Sequence, residues 1–189
     1  MTYNLSHNLD ALTAMASNLT PYLYEDELFG HLGNRLPKLT VGGLLMRLHQ
    51  LEHLEENLDS EQRQDLHDAR MNLDAARNEW AMHFEQKILK EIESRLGSIR
   101  WFLDDCARDP GSCYGGWRNE VEKRTIVQHL INEAKHLEIL TDELKSDVTQ
   151  VDSRLRTFFD SGDFVWDNEL KDAYPQNEYW WLYGFAKNE

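Results

Sequence analysis

The sequence predicts an all-α protein: an elongated helical bundle built on a long antiparallel helical hairpin, with short N-terminal helices and an aromatic C-terminal segment packed against it. Three observations carry this. Apolar residues recur at steps of three and four over most of the chain, the period of one helix face. No run of alternating Val, Ile and Thr suggests a strand. Only 10 glycines and 4 prolines interrupt the 189 residues. With 41% hydrophobic and 29% charged residues, the composition is that of a globular chain of one-domain length. Residues 1–189 therefore read as one helical domain: short helices over 1–58, the hairpin over 60–159 and an aromatic cover over 160–189.

Taken in order, Leu5, Leu9, Leu12, Met15 and Ala16 give the stretch Asn4 to Asn18 an apolar face, with Ser6 as its cap. Thr20 and Pro21 read as the cap and first residue of a second helix, which should end near Gly30 or Gly33. Thr40 caps a third, from Val41 to Leu58, whose leucines spread over a broad face. Its Gly42-Gly43 pair either permits another group to approach the backbone or makes a weak first turn. Asp59 followed by Gln62 fits a capping box at the start of the hairpin, with Ser60 as the alternative cap.

From Glu61 to Phe159 the chain reads as two long helices separated by one break, Arg108 to Gly116. In the second arm Val127, Leu130, Ala134, Leu137, Thr141, Leu144, Val148, Val151, Leu155 and Phe158 form a regular seam. In the first arm Leu66, Ala69, Leu73, Ala76, Trp80 and Phe84 begin a similar stripe. Ile88, Ile92, Leu96 and Ile99 then continue it mostly in steps of four, so the apolar face rotates. That arm must change partners, bend or break near Gly97.

Half of the aromatic residues fall between Phe158 and Phe185. Asp160 to Asp163 should end the hairpin helix, and a short helix from Glu178 to Tyr183 should stop at Gly184. The segment is expected to fold back as an intramolecular cover. The alternative makes Trp166, Tyr179, Trp180, Trp181 and Tyr183 a binding anchor.

The formal net charge of −14 argues against nucleic acid as a direct ligand, because phosphate binding needs clustered Lys and Arg. It permits a basic protein partner. Cys106 and Cys113 flank the hairpin loop, but two cysteines make no disulfide framework and read as free thiols. No apolar run approaches the ~18 residues of a spanning helix, so no membrane is expected as a partner and the cytoplasm is the expected location.

One polar constellation bears on chemistry. His129, Glu133 and His136 share a stripe of the second arm, and Glu-x-x-His on a bundle helix is half of the motif that builds carboxylate-bridged di-iron sites. The other arm offers Glu79, His83 and Glu91 as further ligands, without a second Glu-x-x-His. A salt bridge from Glu133 to Lys87 or Arg95 satisfies the same carboxylate without metal. No cofactor is therefore expected, a transition metal being the alternative. The function expected is that of a non-enzymatic protein-interaction or scaffold module, binding a protein partner or a second copy as a homodimer. Two alternatives stand beside it: a metal-dependent, ferritin-like carboxylate and histidine bundle enzyme, and an acidic mimic that binds a basic or nucleic-acid-binding protein.

Overall fold

A computed structural model describes residues 3–187. The described chain is mostly helical, with one two-stranded ribbon, and no described helix is long and apolar enough to cross a membrane. It divides into two compact units, Met1–Glu91 and Ile92–Glu189.

The first unit holds α1 (Leu5–Ser17), α2 (Leu19–Tyr24), α3 (Val41–His53), α4 (Ser60–Glu79) and the opening turns of α5 (Ala81–Arg108). Leu9, Leu12, Met15, Leu44, Leu51, Leu66 and Leu73 are buried, and α1 packs on α3 and α4. Asn4, not Ser6, caps α1, accepting from the His7 N–H at 3.0 Å. Thr40 caps α3 through Gly43 N–H at 3.0 Å, and Asp59 with Gln62 forms the full capping box of α4.

The second helix stops at Tyr24, well short of the glycines expected to end it. Contacts beyond the helix explain the early stop. The Lys87 ammonium takes the carbonyl oxygens of Glu25 and Glu27 at 2.7 and 2.6 Å, and the Tyr22 hydroxyl donates to Leu28 O at 2.8 Å. Carbonyls held from outside in this way are not accepting helical N–H groups. The chain instead turns through an antiparallel bridge between Gly30 and Leu39.

The first arm of the hairpin is two helices. It breaks at Trp80, whose φ of −120° and ψ of 36° leave the helical region, and resumes when Phe84 N–H donates to Trp80 O. Gly97 lies inside α5 without interrupting it. The rotating stripe is still meaningful: Phe84, Ile88, Ile92, Leu96 and Ile99 are all fully buried. Ile88 belongs to the first unit and Ile92 to the second, so the arm changes partners at Glu91 and not near Gly97.

The second unit contains the rest of α5, α6 (Pro110–His136), α7 (Asp142–Thr157), and strands β1 (Phe159–Phe164) and β2 (Tyr183–Ala186). The expected loop from Arg108 to Gly116 shrinks to Asp109, which caps α6 by accepting from Gly111 N–H at 3.1 Å. Gly116 sits inside the helix because α5 passes close by. A Cβ there would lie 2.6 Å from the Phe102 ring.

Cys106 and Cys113 are joined in a disulfide and are buried, correcting the free-thiol reading. With a single residue between the helices, the last turn of α5 faces the first turn of α6. The two Cα atoms are 4.8 Å apart, within the bridging range.

The second arm is likewise broken, between His136 and Asp142. Ile139 N–H reaches back to Ala134 O and Glu138 N–H to Lys135 O, the paired bonds of a helix terminus that needs a left-handed residue. Glu138 supplies it at φ 59°, and Thr141 then caps α7 through Leu144 N–H. Six residues of the expected seam are buried across the interruption, Val127, Leu130, Ala134, Leu144, Val151 and Leu155, while Leu137, Val148 and Phe158 are half-buried and Thr141, the cap of α7, is exposed. Beyond α7 the chain forms β1 where a turn was expected, paired antiparallel with β2.

Candidate functional site

Of the residues proposed for metal chemistry, His129 lies on α6 and is buried. Its Nε2 is 3.4 Å from the Tyr174 hydroxyl, and its ring also lies against Tyr179 at a centroid distance of 6.3 Å. Glu133, one turn further, is half-buried, and His136 in the last turn is exposed. Glu79 is exposed at the end of α4, while His83 is half-buried against aromatic rings.

Glu91 is fully buried and accepts from Gly42 N–H at 2.9 Å. It therefore sits at the start of α3, where the helix dipole favours an anion. This settles what the paired glycines permit, since a carboxylate approaches the backbone there. Lys87 is buried against the carbonyls of Glu25 and Glu27, with its ammonium 4.1 Å from the centre of the Tyr22 ring. Desolvation, and after it Lys90, lower its pKa, against the pull of Glu25, Asp26 and Glu27. Among the described residues, no three or more His, Cys, Asp or Glu side chains are grouped so as to hold a metal ion.

The aromatic segment faces mostly inward, with Phe185 exposed. Trp181, Tyr179 and Tyr183 are buried, Trp166 and Trp180 half-buried. Their polar atoms also point inward: Trp181 Nε1 donates to Thr125 Oγ1 at 2.9 Å and Tyr183 Oη to Tyr174 O at 2.7 Å. From the helix side, Trp117 Nε1 donates to Gly184 O at 3.2 Å. Arg124 lies 4.0 Å over the Trp181 ring while its fork holds both oxygens of Asp152 at 2.6 and 2.9 Å, tying α7 to α6. Gly184 is required by this packing, because a Cβ there would overlap Asp160 O and the Phe159 ring. Burial raises the hydroxyl pKa values of Tyr179 and Tyr183, with Glu178 and Asp172 adding to it. Glu120, on the same helix, is buried beside Lys123, and desolvation raises its carboxyl pKa despite that 2.6 Å ion pair.

A second aromatic group, in the first unit, is open. Tyr24 at the end of α2 meets Trp80 edge-on at 4.6 Å and His83 at 5.3 Å. Tyr24 is 53% exposed and Met82, in the first turn of α5, 68%. Desolvation first and the Glu79 charge second raise the Tyr24 hydroxyl pKa. Glu25, Asp26 and Glu27 follow directly and are exposed. No sequence pattern marked this platform, since it joins a helix end to residues more than fifty positions away. A tryptophan at the end of a polar helix, in a stripe otherwise made of Ala and Leu, is the only hint the sequence carries.

Comparison of the chain with known protein families, with curated proteins and with solved structures returned no match.

Proposed function

We propose that the protein is a non-enzymatic interaction module. The observation that carries the reading is the platform of Tyr24, Trp80, Met82 and His83. Tyr24 is 53% exposed on the half-buried rings of Trp80 and His83, and Met82, next to His83 in the chain, is exposed as well; aromatic residues and Met are enriched in protein interfaces. Isolated exposed apolar side chains are ordinary, whereas adjoining ones point to contact with another surface. Two of the groups that suggested metal chemistry also have structural uses: Glu91 serves the α3 terminus and His129 the inward-facing tyrosines.

Two measurements test this reading. A photo-cross-linking amino acid placed at Met82 in the native host should trap a discrete protein adduct, and the same label at exposed Gln64 should not. Equal adducts at both positions, or none, would count against an interaction module. Elemental analysis of protein purified without chelator or metal-affinity tag should find less than one equivalent of any transition metal. A stoichiometric metal would favour the enzyme instead.

A further inference from the structure

We infer that this group receives a basic, arginine-bearing segment of a partner protein, with the guanidinium seated against the exposed Tyr24 side chain among neighbouring carboxylates. The inference rests on the interaction reading and adds the partner's chemistry. Arginine is attracted to the faces of Trp and Tyr and stacks on them in a way lysine does not. The carboxylates are those of Glu25, Asp26 and Glu27, which follow Tyr24 in the chain, and of Glu79, which precedes Trp80, all exposed.

Lys87 interacts with Glu25, Asp26 and Glu27, but its ammonium is buried, directed at two carbonyl oxygens and the Tyr22 ring, and the four exposed carboxylates outnumber that one cation. A polyanion is therefore repelled. A second copy of this chain meeting the platform face to face would set the Glu25–Glu27 run against itself, which like-charge repulsion opposes. A cationic segment with an apolar neighbour for Met82 fits both parts of the surface.

Fluorescent peptides sharing one apolar frame and carrying arginine, lysine, glutamine or glutamate at alternate positions test this with the full-length chain. Anisotropy should rank arginine above lysine, and both above glutamine and glutamate, with binding that weakens as salt is raised. Tyr24→Ala should weaken the arginine peptide about three- to thirtyfold. Glu79→Gln, an exposed substitution that leaves the fold intact by circular dichroism, should reduce the salt dependence. Trp101→Ala, at a 66% exposed tryptophan of the other unit, should change nothing.

Equal binding of the arginine and glutamate peptides, or binding insensitive to both Tyr24→Ala and Glu79→Gln, overturns the inference. So does light scattering in which the 22.3 kDa mass doubles in a Tyr24-dependent way. None of these outcomes removes the wider reading, which is tested separately by the Met82 label and by elemental analysis.

Discussion

Two groups of aromatic side chains occupy this protein, one closed and one open, and the difference lies in where their polar atoms and faces point. The C-terminal group turns its indole and hydroxyl donors inward to Thr125 and Tyr174, and takes arginine over its rings from within the same unit. The group at Tyr24, Trp80 and His83 stacks edge to face but leaves Tyr24 and Met82 to solvent, bordered by carboxylates. Aromatic density in the chain therefore marks a core here, and the candidate interface is built from residues scattered in sequence. In the closed group the rings meet an internal cation, and in the open group we propose that a partner supplies one.

The contrast is most easily broken by truncating each group. Trp181→Ala removes a fully buried indole together with its hydrogen bond to Thr125 and should cost about 3–5 kcal/mol in urea unfolding. A cost below about 1 kcal/mol would mean the segment is not core. Next in size is the disulfide that links α5 to α6 in the closed unit. Replacing Cys106 and Cys113 by serine should lower stability by about 2–3 kcal/mol, the chain-entropy value for so short a loop. Alkylation of the unreduced, denatured protein should modify neither cysteine.

Glu120 sharpens the comparison through pH. Burial raises its folded pKa above the usual 4.5, so its favourable contribution is fully present below pH 4.5 and is lost as pH rises through the folded value. Glu120→Gln should therefore remove a fall in stability between pH 4.5 and neutrality, as read by urea midpoints across pH. Glu79→Gln, next to Trp80 of the open group, should leave stability within about 0.5 kcal/mol throughout. The smallest effect is expected at the open platform itself, where Tyr24→Ala should cost no more than about 1 kcal/mol because half of the ring is already in water.

The helical class, the capping by Thr40 and the capping box at Asp59 follow from side chains adjacent to the backbone groups they satisfy, and such local chemistry is legible in sequence. The buried stripes were legible too, because a helix repeats its face regardless of what covers it. The breaks were harder. Leu137 to Thr141 contains neither Gly nor Pro, and Glu138 adopts a left-handed conformation that its identity does not announce. The seam spacing carries across the gap, so periodicity alone reports one continuous helix.

The chemical signals for that break were nevertheless present. Lys135 and His136 suit a C-terminus, and Thr141 followed by Asp142 and Glu143 suits an N-terminus. The glycines at 115 and 116 misled in the opposite direction, because only the neighbouring Phe102 explains Gly116 inside a helix. Strand β1, with four exposed residues between two phenylalanines, offers no alternation to read. The platform depended on the break at Trp80 and on the early end of α2, the latter set by contacts distant in sequence.

Hydroxyl-radical footprinting of the intact chain, read by mass spectrometry, tests the open and closed assignment in one experiment. Tyr24 and Met82 should be oxidised rapidly, while Tyr174 and Trp181, which are 0% and 1% exposed, should remain protected until the chain is unfolded. Labelling of Trp181 and Tyr174 as fast as Tyr24 in the folded protein would contradict the account.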